Sequence, residues 1–456
     1  MADEPGAGDT PGSQPSRPSF ARSAVQTYGT NLAVAMLSFV SVLITARALG
    51  ASGRGDVALL TTVAFLTAQL STMGVQQSNS NFAGENAQLT PSLAGTSLVL
   101  AALFGGGAVV LMGPLMVAFP DLSGNAGVTL VLLVLGSIPM LILQQYLMLL
   151  VQAHYGFGIT NLAWLLTPGI NVAVNGVFAV LGILTVTSAV ASWVAGMFLG
   201  TLVLVWAVSR QLGGFGRPDR ALARRMLSFG LKSHLGRAML FGNYRADQWI
   251  LGVIAGSTQL GLYSVAVAWS EVLFFLPTTL VAVQRPDLVR ATTDEARRRA
   301  SLVLRGALML TLVSAGAMIA LAPILCTAIF GESFQDSEGM LRVLCLGAFG
   351  IAALKLLGSA LTAQRRPLLE TAAVSVAFVT VLVLDFILIP DHGGMGAAVA
   401  SAVSYTLGGL AGAVIFCRAL GARITDLLPR PSDLSALNRM VRGRFKPARP
   451  AAAAGE

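Results

Sequence analysis

The stretch Val128-Thr-Leu-Val-Leu-Leu-Val-Leu-Gly-Ser-Ile-Pro-Met-Leu-Ile-Leu-Gln-Gln-Tyr-Leu-Met-Leu-Leu-Val151 decides the fold class. It carries no charged side chain, and as a helix it would span about 36 Å, more than the ~30 Å hydrocarbon core of a bilayer. The same texture recurs in both directions along the chain. Twelve apolar runs lie near 24–47, 57–79, 93–119, 127–151, 161–184, 187–209, 229–255, 262–284, 301–330, 338–363, 369–390 and 394–418. The tightest connection falls at 185–186, where a miscount would invert everything after it. Composition agrees: 55% of the 456 residues are hydrophobic, only 11% are charged, 49 are glycine, and the mean hydropathy is +0.73. Ordinary soluble domains carry roughly 25% charged residues. A soluble globular enzyme is therefore excluded, and so is a disordered chain, which would lack this much apolar surface. The expected fold is all-α: a polytopic membrane protein with 12 transmembrane helices.

Charge placement sets the orientation. With the N-terminus inside, the cytoplasmic segments hold 22 of the 30 basic residues. The opposite loops hold Asp56, Asp121, Glu332, Asp336, Glu338 and Asp391, with Arg47 and Arg54 as the main exceptions. That is the positive-inside pattern, so both termini are expected in the cytoplasm and the number of spans is even. The net charge of +9 thus reflects topology and requires no nucleic-acid partner. The tail segment Arg439-Met-Val-Arg442-Gly-Arg444-Phe-Lys446 either rests on anionic membrane lipids or is simply solvated. Residues 1–22 read as a disordered leader, with prolines 5, 11, 15 and 18 and no signal-peptide pattern. Cys326, Cys345 and Cys417 lie in apolar runs without metal-like spacing, so they read as buried small side chains.

The chain also repeats. Gly50 in the first hairpin and Gly256 in the turn between spans seven and eight are offset by 206, and the Ser192 and Ser401 stretches by 209. Two pseudo-repeated six-helix bundles follow, at 23–209 and 229–418, joined by a basic linker at 210–228 and followed by a basic tail at 419–456. Six is even, so both bundles enter the membrane alike, the parallel-repeat plan with a substrate site between halves.

Ionisable side chains at membrane depth cost roughly 2.5–3.5 kcal/mol on insertion scales and should face a cavity or a partner. Span seven holds Lys232, His234, Arg237, Asn243, Tyr244, Arg245 and Asp247. Lys232, Arg237, Asn243, Tyr244 and Asp247 share one sector of the helix, while His234 and Arg245 project on another. Lys355 lies deep in span ten, Glu271 near the middle of span eight, and Arg47 at the outer end of span one. Arg47 and Lys232 either snorkel or line the cavity. Asp247 is either a counter-ion for a neighbouring cation or a functional carboxylate. Glu271 is a structural partner or a proton-coupling group. Gln76 and Gln144 make interhelical hydrogen bonds or contact sugar hydroxyls. A cavity rich in cations and amides suits an anionic, sugar-bearing ligand, since Arg grips phosphate through paired hydrogen bonds and Lys acts as a point charge.

Several motifs carry a resemblance: Arg47-x-Leu49-Gly50-x-x-Gly53-x-Gly55, Phe229-Gly230, Asn243-Tyr244-x-x-Asp247-x-x-x-Leu251-Gly252 and Leu260-Gly261-x-Tyr263-x-x-Ala266. Phe330-Gly331-x-x-Phe334 and Ile389-Pro390-x-x-Gly393-Gly394-x-Gly396-Ala397-Ala398-x-Ala400-Ser401 complete the set. Across residues 20–418 the sequence resembles the Wzx-type polysaccharide flippases of the multidrug/oligosaccharidyl-lipid/polysaccharide (MOP) exporter superfamily. The resemblance implies two six-helix bundles facing each other in a V in the bacterial plasma (inner) membrane. It also implies transfer of an undecaprenyl-diphosphate-linked oligosaccharide to the outer leaflet by alternating access. Arg47, Asn243, Tyr244 and Asp247 match the motifs. Lys232, Arg237 and Lys355 are extrapolated from charge and depth, and Arg245 has no place in the family pattern. The implied partners are a lipid-linked oligosaccharide, membrane lipids, and the polymerase and glycosyltransferases of polysaccharide synthesis.

No catalytic residues, metal ligands or cofactors are expected beyond a coupling H+ or Na+. A cation-coupled multidrug exporter of the same superfamily is the first alternative, weakened because residues 57–209 carry acids only at Glu85 and Asp121, both in loops. A lipid II flippase would normally have two further spans. A membrane-embedded glycan-assembly enzyme lacks its paired acidic motif here, and a scaffold would not require buried cations.

Overall fold

A membrane-spanning chain must satisfy its backbone hydrogen bonds internally, and this chain does so with helices throughout. The computed structural model describes residues 20–124 and 126–430, which contain helices and no strands. In order they are α1 (Phe20–Ser71), α2 (Val75–Glu85), α3 (Thr90–Ala118), α4 (Val128–Ala153), α5 (Phe157–Val180), α6 (Val186–Gln211), α7 (Arg220–Ser270), α8 (Val272–Arg290), α9 (Thr293–Ala322), α10 (Ser337–Ala363) and α11 (Pro367–Leu420). Of the leader expected at 1–22, residues 1–19 lie outside the described residues and 20–22 already belong to α1; of the tail expected at 419–456, residues 431–456, including the segment 439–446, lie outside them.

Nine stretches among the described residues are apolar and long enough to cross a membrane, and three of them are far too long to cross once. A 43-residue helix such as Gly29–Ser71 would extend about 65 Å, twice the hydrocarbon thickness. Each long stretch is broken by one glycine with φ above zero: Gly50 (φ 69°), Gly256 (φ 80°) and Gly393 (φ 52°). Only glycine adopts that conformation without a Cβ clash, so the break reverses the chain with almost no loop. A Cβ on Gly396, for instance, would lie 3.0 Å from the backbone nitrogen of Ile389, a distance a straight helix would not allow. The result is twelve crossings.

The repeat is visible in the backbone. Left-handed residues recur in pairs at Gly50 and Gly256, Gly124 and Gly331, Tyr155 and Arg365, and Gly182 and Gly393, at offsets of 206, 207, 210 and 211. Both halves therefore turn at the same points. Some boundaries differ from expectation. The connection expected at 185–186 spans residues 181–185, because Thr185 caps α6 in a reciprocal capping box with Ser188. The second crossing is interrupted at Met73 and Gly74, both with positive φ. The linker is shorter than 210–228: α6 continues to Gln211, and the Asp219 carboxylate caps α7 by accepting from the Ala221 N–H at 2.7 Å. The rest of the linker is docked, with Gly216 N–H donating to Pro91 O at 2.7 Å.

At two points the halves meet backbone to backbone, at Gly55 of α1 and at Gly74 just after it. A Cβ on Gly55 would come within 2.9 Å of Ser257 Cα, and one on Gly74 within 2.9 Å of Gly230 Cα. Leucines and valines such as Leu103, Val110, Leu312 and Val313 remain exposed, as a lipid-facing belt requires.

Candidate functional site at the junction of the halves

One face of α8 organises the charged groups. Glu271, Phe274 and Thr278 follow each other at helical spacing. Glu271 Oε1 accepts from Arg245 Nη1 at 2.8 Å, and these side chains keep 36% and 31% of their surface accessible, so the pair faces open space. Lys355 donates from Nζ to Thr278 Oγ1 at 3.0 Å. Its ammonium stands 5.5 Å from the Tyr244 ring centre and 5.6 Å from that of Phe274, within cation–π range. Tyr405 completes the aromatic wall, 5.7 Å from Phe274 and 6.4 Å from Tyr244. Arg54, from the N-terminal half, lies in the electrostatic field of Arg245, and its Nε is buried without a hydrogen-bond partner. Arg245 and Lys355 thus share the half-exposed carboxylate of Glu271, Arg54 stands in the field of Arg245, and the buried Asp247 is the second carboxyl group that Arg245 feels.

Asn243 and Asp247 take the other side of α7 and point into the C-terminal half. Asp247 accepts from the Gln248 N–H at 2.7 Å, Tyr263 OH at 2.5 Å and Ser401 Oγ at 3.1 Å. It is 2% exposed, and it is Glu271, not Asp247, that holds Arg245 at ion-pair distance. Asn243 Oδ1 accepts from Ser404 Oγ at 3.2 Å, while its Nδ2 has no partner. Asp385 on α11 is fully buried, neither carboxyl oxygen has a hydrogen-bond partner, and it interacts electrostatically with Asp247.

The remaining candidates lie elsewhere. Arg47 donates to Ile329 O at 2.6 Å and Ala328 O at 3.1 Å, bridging the halves at the outer end. Arg237 lies toward the cytoplasmic end. With the Gln77 amide turned so that its oxygen faces the guanidinium, Arg237 donates to it at 2.8 and 2.9 Å. Beside it His234 Nε2 reaches Leu70 O at 3.0 Å. Lys232 is exposed. Gln76 is buried, with its Nε2 3.4 Å from Thr72 Oγ1 and its Oε1 unpartnered. Gln144 reaches Met197 O at 3.4 Å, inside the N-terminal half.

Arg54 and Asp385 were not among the expected site residues. In sequence Arg54 stands out only as a basic residue on the acidic side of the membrane. The signal for Asp385 is plainer: it is the one charged residue in the apolar run 369–390 apart from Glu370 near its start.

Solved structures of membrane transporters share this fold. A multidrug resistance MATE family transporter in an inward-facing conformation is similar at a TM-score of 0.69, with 14% identity over 86% of this chain and 98% of that one. The lipid II flippase MurJ in an inward closed conformation gives 0.68, with 14% identity over 94% of each chain. A MOP-superfamily transporter from Pyrococcus furiosus, described by the reversed polarity of its binding pocket, gives 0.55, with 13% identity over 87% of this chain and 95% of that one. These likenesses show the fold. No curated protein matches the sequence. The chain belongs to the polysaccharide biosynthesis protein family, whose profile matches residues 44–338.

Proposed function

We propose that the chain is a carrier, not an enzyme, that flips an undecaprenyl-diphosphate-linked oligosaccharide from the inner to the outer leaflet of a bacterial plasma membrane by alternating access. The observation that carries this reading is the gathering of three cations, Arg54, Arg245 and Lys355, where among the described residues only Glu271 is at ion-pair distance of one of them and Asp247 is turned away into the C-terminal half. A diphosphate diester brings two negative charges, and guanidinium forks match phosphate oxygens. The rings of Tyr244 and Phe274, backed by the buried Tyr405, hold the Lys355 ammonium beside the junction. The basic inner segments support cytoplasmic termini, and the glycosyltransferases and polymerase of the same synthesis would supply and consume the guest.

Asp247 and Asp385 are proposed as the seat of the coupling cation, H+ or Na+. A carboxyl pair in an apolar interior is tolerable when it shares a proton or holds a cation. That pair also favours the second reading, a cation-coupled multidrug exporter, but an organic cation would be repelled by the cations at the junction.

The test reconstitutes the full chain in liposomes carrying a fluorescent polyprenyl-diphosphate oligosaccharide and follows its appearance in the opposite leaflet. Arg54→Ala and Arg245→Ala should each slow flipping at least tenfold. A wild-type rate equal to that of protein-free liposomes, with efflux of a fluorescent organic cation, would replace this reading by the exporter.

A further inference from the structure

Among the described residues, Glu271 is the carboxylate that holds a junction cation at ion-pair distance. Glu271 Oε1 is 2.8 Å from Arg245 Nη1, and both side chains retain about a third of their surface, so the bond is reachable from the junction. Lys355 reaches from α10 onto the same face of α8, where it donates to Thr278 two turns beyond Glu271, and it also feels the charge of Glu271. Glu271 lies where α7 passes into α8, with helical backbone angles (φ −62°, ψ −24°) and its N–H donating to Val267 O at 2.9 Å, so its side chain is carried by a continuous helical turn. A carboxylate on a guanidinium presents the same paired oxygens as a phosphate. Partly exposed ion pairs are weak, typically under about 1 kcal/mol, and a doubly charged group can displace one.

We propose that Glu271 is a displaceable counter-ion: it holds Arg245 when the carrier is empty, is pushed aside by the diphosphate, and by returning to Arg245 helps expel the guest at the outer leaflet. The proposal rests on the diphosphate reading above. It makes Glu271 a positioning residue for the cations and no ligand of the guest. Its signature is a split between affinity and turnover. Removing the charge strengthens binding, because no internal competitor remains, and slows release.

The experiment uses the full chain in nanodiscs of uncharged phosphatidylcholine, with farnesyl diphosphate as the probe, titrated by calorimetry. Glu271→Gln should bind the probe about five- to tenfold more tightly than wild type and flip the lipid-linked oligosaccharide several-fold more slowly at saturating concentration. Glu271→Asp should stay near wild type, and Arg245→Ala should bind at least tenfold more weakly. Glu271→Ala is the second variant and must shift affinity in the same direction as Glu271→Gln. Binding by wild type with equal or weaker binding by Glu271→Gln overturns the counter-ion role and leaves the diphosphate reading standing. No binding by any of the proteins overturns both. Failure of Glu271→Gln and Glu271→Ala alike to fold makes Glu271 structural and also overturns the proposal.

Discussion

The two halves share their turns but not their polar chemistry. In the N-terminal half the buried polar groups are mostly neutral and paired. Ser41 Oγ donates to Asn171 Oδ1 at 2.9 Å, Asn171 Oδ1 also accepts from Asn175, and Ser192 Oγ donates to Asn175 Oδ1 at 2.9 Å. Asn79 Nδ2 donates to Ser97 Oγ at 2.8 Å and to Tyr146 O at 3.0 Å, and Tyr146 OH donates to Thr72 O at 2.8 Å. The C-terminal half instead buries Asp247 and Asp385, displays Arg245, Glu271 and Lys355, and leaves Asn243 Nδ2, Tyr244 OH and both Asp385 oxygens unpartnered. A satisfied neutral network rigidifies, whereas a half-satisfied charged one changes with whatever binds it. In the cycle proposed above, the N-terminal half is the platform and the C-terminal half the part whose electrostatics respond to guest and ion.

Removing a carboxyl from one half and adding one to the other is the sharpest way to break that contrast. Asp385→Asn deletes a buried acid that has no hydrogen-bond partner, so folding should be unharmed. Gradient-driven flipping should fall at least tenfold while downhill flipping continues. Equal loss of both modes would deny the pair a coupling role, and full retention of gradient-driven flipping would place the ion elsewhere. In the other half, Asn175→Asp sets a carboxyl oxygen where the Asn175 amide now donates to Asn171. With no cation beside it, the new acid should cost roughly 3 kcal/mol, read as a lower melting temperature and a smaller monodisperse peak in detergent. Unchanged stability there would mean that the N-terminal half is less dry and less rigid than its network implies.

Hydroxyl deletions sharpen the same contrast more gently. Tyr263→Phe strips Asp247 of its 2.5 Å donor and leaves a buried carboxylate short of one hydrogen bond. Losing a partner from a buried charged group costs about 2 kcal/mol. Ser192→Ala removes one neutral bond to Asn175, for which about 0.6 kcal/mol is typical inside membranes. Thermal unfolding of the two variants should therefore rank them in that order. The reverse ranking would make the neutral network the more demanding of the two.

The crossings are legible in the sequence because the hydrocarbon core imposes one length and one composition on every span. Gly50 and Gly256 are legible as a pair because a hairpin this tight tolerates only glycine, and such a requirement repeats with the fold. The junction is less legible. Arg245, Tyr244, Glu271 and Lys355 show their depth in the sequence, and the structure gathers them. That Arg245 chooses Glu271 over Asp247, two residues away, depends on which flank of α7 meets α8, and no periodicity reports that. Arg54 is a topological exception until α1 is laid against α7. Arg47 and Arg237 look like free cations, yet they end on carbonyl groups across the junction.

The smallest expected effect lies outside the spans, at His154 in the turn after α4. With Thr90 Oγ1 donating to Ala87 O at 2.7 Å, the 2.8 Å contact with His154 Nε2 fits the tautomer protonated at Nε2, in which Nδ1 is the site that titrates. Burial lowers the His154 pKa below its ordinary value. The unfolded chain, with a histidine near pKa 6.5, then binds the proton more readily than the folded one. Stability should therefore fall as pH drops through about 6.5 and level off below the folded value, with the full contribution present above 6.5. His154→Gln keeps a donor for Thr90 but cannot titrate, so its melting temperature should vary less between pH 5 and pH 8 than that of wild type. The Thr90 contact ties the turn after α4 to the start of α3, inside the half assigned the rigid role, so flipping at neutral pH should be untouched. A matching loss of flipping in His154→Gln would show that even this peripheral turn of the N-terminal half moves with the cycle.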